Sequence, residues 1–233
     1  VMLYTIGNPL SKKEDMVSIV GTRTMTQYGR SITRMIVKKL VESKITTLSG
    51  LARGVDTATH RETVNMGGRT IAVLGCGLDI VYPSENKKLF KDILTNGTII
   101  SEFALGEKPD RKNFPQRNRI IAGLSHGTVV VEAGNKSGSI LTAFNAIDQN
   151  RDVFAVPGRI TDLMSVGTNR LIRHGAFPVF DGEEIIDIIN DRLFNPIQGV
   201  QKTINYDLSK DEQSIFHHLG HDPIQIDDLR DRK

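Results

Sequence analysis

Short runs of β-branched and aliphatic residues recur along this chain, each separated from the next by a stretch with helical spacing. The runs predict strands over residues 16–20, 45–48, 69–74, 98–101, 128–131 and 152–156. Between and after them, helices are expected over 28–43, 55–66, 84–94, 115–123, 139–149 and 166–173. Parallel strands need helical crossovers, so this alternation points to an α/β fold with a doubly wound, mainly parallel sheet flanked by helices. The strands are apolar on both faces, as expected of a sheet covered on both sides.

The ends of the chain break the pattern. Residues 1–15 hold a short apolar piece and a polar link, expected to be a remnant of an N-terminal domain or a linker. The core domain is expected over 16–193. Pro196 and Gly199 mark a linker over 194–206. Beyond it, Leu208, Ile215, Phe216 and Leu219 have helical spacing behind the capping-box pair Ser209 and Glu212, so 207–233 is expected to be the truncated start of a further domain. One cysteine, Cys76, among 233 residues excludes an internal disulfide framework and a cysteine-based zinc site. No secretory leader or apolar run of membrane-spanning length is read. The expected setting is a reducing, cytoplasmic one. A net charge of +3 is too small to imply a polyanionic partner by itself, so any basic surface must be local.

Open parallel sheets bind ligands beyond the carboxyl ends of their strands. Three predicted strands end in loops rich in small residues. The first is Gly21-Thr22-Arg23. The second runs from Ser49 and Gly50 to Arg53 and Gly54. The third follows Glu132 and contains Lys136-Ser137-Gly138-Ser139. Free backbone N–H groups at a helix start favour anions, and two of the loops add an arginine. Each glycine is also explained by a tight strand-to-helix turn. A fourth segment, Phe114-Pro115-Gln116-Arg117-Asn118-Arg119, places Pro115 at an expected first helical position. Arg117 and Arg119 would then sit in the first turn, where cations are disfavoured unless an anion or a carboxylate such as Asp110 or Glu132 offsets them. Phe114 is either a base-stacking platform or a core residue. His60 and Cys76 read as packing residues. No P-loop, nucleophile elbow or zinc-protease motif is present, and neither a cofactor nor a metal is expected.

Taken in order, these segments resemble the DprA (Smf) family of DNA-processing proteins. The resemblance rests on Val17 to Arg23, Ser49 to Asp56, Gly67 to Leu74 and Gly77 to Pro83. It continues through Ser101-Glu102, Phe114 to Ser125, Val131 to Ala133, Ser137-Gly138 and Val153 to Gly158, and closes with Gly167 to Asn169 and Gly175-Ala176. It covers roughly residues 17–180. It implies an extended Rossmann-like fold that binds single-stranded DNA without catalytic turnover. Such a protein would protect incoming strands in natural transformation, load the RecA recombinase onto them, and act as a homodimer. The implied DNA contacts are Gly21, Thr22, Arg23, Ser49, Gly50, Arg53, Phe114, Arg117, Asn118 and Ser139 with neighbouring basic residues, and Arg23 and Arg117 are the foremost phosphate ligands. Family members often carry a C-terminal winged-helix domain, whose opening residues 207–233 would represent. The competing reading is an enzyme that hydrolyses the glycosidic bond of nucleoside monophosphates, with Glu132, Arg117 and Ser139 at its centre.

Overall fold

The computed structural model describes residues 2–194 apart from Lys12. The linker expected over 194–206 and the domain opening expected over 207–233 lie outside the described residues, except Phe194, which closes a helix. Among the described residues no helix is long and apolar enough to cross a membrane.

The elements in chain order are β1 (Tyr4–Gly7), β2 (Met16–Val20), α1 (Gln27–Glu42), β3 (Thr46–Ser49), α2 (Val55–Asn65), β4 (Thr70–Leu74), α3 (Lys87–Ile93), β5 (Thr98–Ser101), α4 (Asn113–Leu124), β6 (Gly127–Val130), α5 (Gly138–Asp148), β7 (Asp152–Ala155), α6 (Val166–Arg173), β8 (Phe177–Pro178) and α7 (Gly182–Phe194). The strands form one sheet in the order β1-β5-β4-β3-β2-β6-β7-β8. Every pairing is parallel except that of β1 with β5.

Alternation along the strands explains the layering. In β2, Val17 and Ile19 face one side, where they pack with Ile36, Val37 and Leu40 of α1 and Ile185 of α7. Met16 and Val20 face the other, against Ile120 and Ile121 of α4 and Ala143 and Ala146 of α5. Both faces are thus covered, and the strands from β2 to β7 are buried along their whole length. The Thr26 hydroxyl accepts the Gly29 N–H at 3.1 Å and starts α1.

Three expectations need correction. Residues Tyr4–Gly7, within the segment read as a remnant or linker, pair with β5 from Tyr4↔Ser101 to Gly7↔Thr98 and form an edge of the core sheet. Arg69 fastens this segment, donating to the Pro9 carbonyl at 3.0 Å and pairing with Glu14. Second, α4 starts at Asn113, so Pro115 is its third residue. Arg117 and Arg119 therefore lie in the second turn, and the first-turn argument for a bound anion does not apply to them. Third, residues 177–178 add an eighth strand, too short to show any periodicity in the sequence.

Candidate functional site

The connections from β2 and β6, neighbours in the sheet, run to opposite sides: β2 continues toward β3 and β6 toward β7. Their loops diverge beyond the carboxyl ends of the strands and leave a groove of about 740 Å³. Gly21–Thr24 form one wall, Lys136–Ser139 the other, and α4 closes an end with Phe114, Arg117 and Asn118.

The two walls are laced together beneath the surface. The Thr22 N–H donates to the Glu132 carbonyl at 2.7 Å. The Glu132 carboxylate, 2% exposed, accepts the Thr26 N–H at 2.9 Å and also the Thr26 hydroxyl. That occupies the carboxylate on which the hydrolase reading relied. Thr22 turns its own hydroxyl to the Thr24 N–H at 3.2 Å. On the opposite wall, Ser137 caps α5 by accepting the Ser139 N–H at 3.4 Å, and the two hydroxyls lie 2.8 Å apart. The Asn118 amide donates to the Gly138 carbonyl at 3.4 Å, joining α4 to this wall.

Arg23 is exposed on the rim. Its guanidinium carbon stands 5.5 Å from the centre of the Phe114 ring, and that ring lies 5.7 Å from Tyr82. A cation held over an aromatic face keeps its in-plane N–H groups open to other acceptors. Among the described residues, no hydrogen bond or ion pair takes up the Arg23 guanidinium. Lys136 is likewise exposed on the facing wall.

Beneath the rim the chemistry reverses. Arg117 is 4% exposed. Its guanidinium donates to the Gly50 carbonyl at 2.6 Å and to the Val73 carbonyl, tying the ends of β3 and β4. A Cβ on Gly50 would stand 2.5 Å from that guanidinium, so only glycine permits the approach. Asp56 accepts the Gly50 N–H at 3.1 Å and the Ala52 N–H at 3.4 Å from the same turn. Burial lowers Arg117 to about 10 against the opposing pull of Asp56, and burial raises Asp56 against the charge of Arg117. Gly54, which precedes α2, has φ +76, a conformation that costs an L side chain but not glycine.

The groove thus unites Gly21, Thr22, Arg23, Phe114, Arg117, Asn118, Lys136, Ser137, Gly138 and Ser139, all expected from the sequence. Gly50 and Arg53 border a smaller adjoining recess with Tyr82 and Cys76, and Arg53 is paired with Glu85. Ser49 is displaced from the expected site: it is fully buried and donates its hydroxyl to the Ile19 carbonyl at 2.6 Å, a cross-strand tie. Arg119 also leaves the expected set and pairs with Glu102. Residues two apart on a helix point about 200° from one another, and Arg119 does not line the groove that Arg117 lines. The carboxylate paired with Arg119 is Glu102, and the one whose charge acts on Arg117 is Asp56, rather than Asp110 or Glu132. His60 is a packing residue, as expected: its Nδ1 meets the Thr70 hydroxyl at 2.7 Å, and burial followed by the Arg117 charge lowers it to about 3. Sequence reasoning missed Tyr82 and Arg111, which also line the groove. The signal for Arg111 was the basic run from Lys108 to Lys112. For Tyr82 it was an aromatic residue in a strand-end loop.

Residues 1–190 match the family described as DNA recombination-mediator protein A. The chain belongs to that family. Among its relatives, the DNA processing protein DprA of Streptococcus pneumoniae (strain ATCC BAA-255 / R6) is 42% identical over 186 residues, which are 80% of this chain and 66% of that protein. Protein Smf of Synechocystis sp. (strain ATCC 27184 / PCC 6803 / Kazusa) is 46% identical over 190 residues, 79% of this chain and 48% of its own. The chain therefore spans between about half and two thirds of these DprA and Smf proteins. The solved structure of S. pneumoniae DprA superposes with a TM-score of 0.76 at 41% identity, covering 79% of this chain and 65% of that one. DprA of Helicobacter pylori gives 0.72 at 32% identity, covering 83% of this chain and 87% of that one; its structure concerns the single-stranded DNA binding mode of that protein. A molybdenum cofactor binding protein from Rippkaea orientalis superposes at 0.55 with 17% identity over 78% of this chain and 99% of its own, a likeness of fold alone. The DprA-family relatives and these neighbours agree with the Rossmann-like sheet expected from the sequence.

Proposed function

We propose that this DprA-family chain binds single-stranded DNA in the groove between the β2 and β6 loops. The observation that carries the proposal is Arg23: an exposed cation braced on Phe114, with its donors uncommitted, at the mouth of a groove lined by Thr22, Thr24, Lys136, Ser137 and Ser139. Phosphates fit that chemistry, and a chain of them fits a groove with cations on both walls. Arg117 lends its charge from the floor, while Tyr82 and Phe114 offer faces for bases. That the structure of the H. pylori relative concerns single-stranded DNA binding supports the choice of ligand.

The test is a titration of a fluorescent oligothymidylate followed by anisotropy across a salt series, alongside a duplex of equal length. Affinity for the single strand should fall with salt at a slope of about −0.7 per phosphate neutralised. An affinity indifferent to salt would reject a phosphate-binding groove.

We propose further that the bound strand is protected and passed to the RecA recombinase in natural transformation, without being chemically altered. The family's description as a recombination mediator supports this role. Nuclease digestion of the complex and a RecA strand-exchange assay test it; no protection and no stimulation would reject it. For homodimerisation, the support is a set of exposed apolar side chains near one edge of the sheet: Leu141, Phe144 and Ile147 on α5 are exposed, and Phe144 and Ile147 border one cavity with Phe177. A monomeric mass by light scattering at all concentrations would remove the dimer.

A further inference from the structure

The loop between β7 and α6 carries exposed apolar side chains that neither the fold nor the groove accounts for. Ile160 is 92% exposed and Leu163 77%. Single exposed apolar residues are ordinary on any protein surface. These two sit on a braced segment. The Tyr28 hydroxyl donates to the Pro157 carbonyl at 2.8 Å. Gly158 and Asn169 exchange two hydrogen bonds, at 3.2 and 2.9 Å. The Ala133 N–H donates to the Met164 carbonyl at 2.7 Å, and the Gly167 N–H donates to the Ala133 carbonyl at 2.8 Å. Through these last two bonds the loop is fastened to the β6 loop, the far wall of the groove, and Met164 itself lines the groove.

Charge around the loop has one dominant sign. Arg159 and Arg170 are exposed, Arg170 reaches Asn135 at 3.5 Å, and Lys136 lies one residue further along the groove wall. Asp162 is the carboxylate within the loop. Aliphatic side chains interleaved with cations, continuous with a phosphate groove, match a ligand that alternates flat apolar faces with negative charge.

We propose that this loop is a second contact wall for single-stranded DNA, taking the stretch that leaves the groove over the Gly134–Ser137 turn. Arg159 and Arg170 face its phosphates, and Ile160 and Leu163 lie against its bases, as apolar side chains do where nucleic acid is splayed or unstacked. The inference rests on the groove reading but is separable from it, because it concerns strands long enough to overrun the groove.

The chain contains no tryptophan, so Ile160→Trp installs a single tryptophan at the proposed contact, excitable apart from the four tyrosines. An oligothymidylate of about six nucleotides should bind without changing its emission, and one of about fifteen should quench it, given the site sizes of single-strand grooves. Retained binding of the longer strand with unchanged emission overturns the second wall and leaves the groove intact. A blue-shifted emission that ignores DNA assigns the loop to protein packing, by residues 195–233 or by a second copy, and also overturns it. In a second arm, Arg159→Gln with Arg170→Gln should weaken the longer strand roughly tenfold and leave the shorter one unchanged. Equal loss for both lengths means the loop merely props the groove, and the proposal falls. If the unaltered chain binds neither strand, the failure lies with the groove reading beneath it.

Discussion

The floor and the rim of the groove are built from the same materials and do opposite things. Both combine strand-end glycines with an arginine. On the floor, Arg117 is closed over by the Gly50 turn and gives its protons to main-chain carbonyls, with Asp56 as counter-charge. On the rim, Arg23 rests on an aromatic ring that supports it without accepting its in-plane protons. A cation buried against carbonyls organises the loops; a cation propped on a ring stays available to a ligand. The distinction lies in what the donors are already bonded to, not in the residue type or its glycine-rich surroundings.

The largest test of this contrast is Arg117→Met. Removing the guanidinium leaves the buried Gly50 and Val73 carbonyls without their donor and Asp56 without a neighbouring positive charge, and each buried polar group left unsatisfied costs about 1–3 kcal/mol. Urea unfolding should show the loss in the midpoint. A variant as stable as the parent would break the claim that Arg117 holds the floor. The matching change on the rim, Arg23→Ala, should move stability by no more than about 0.5 kcal/mol. Its cost should appear in oligonucleotide affinity instead, at about 1–3 kcal/mol for a charge-assisted contact. Unfolding and binding curves on one preparation separate the two outcomes, and a stability loss without a binding loss would erase the difference between floor and rim. The smallest effect is expected for Arg119→Gln, a partly exposed pair with Glu102 worth about 0–1 kcal/mol. Binding weakened as much as by Arg23→Ala would return Arg119 to the interface from which its position outside the groove removes it.

Legibility in the sequence followed the range of the interactions involved. Most strand and helix positions could be read locally, since they follow from periodicity and from turn residues within a few positions of each element. The exceptions were short or positional. Tyr4–Gly7 belongs to the sheet through its pairing with β5, more than 90 residues away, and the start of α4 falls before Pro115 because that residue is also accepted later in the first turn.

The sequence by itself determined the alternating architecture, the glycine-rich turns at the strand ends, and ten of the residues that meet in one groove. Only the tertiary structure decided which arginine serves the fold and which faces solvent, that the Ser49 hydroxyl is turned inward, and that Tyr82 and Arg111 join the rim. The physical reason is that periodicity and turn chemistry act between near neighbours in the chain. A side chain's partners and its exposure depend on segments brought beside it from elsewhere, as the Val73 carbonyl is brought to Arg117.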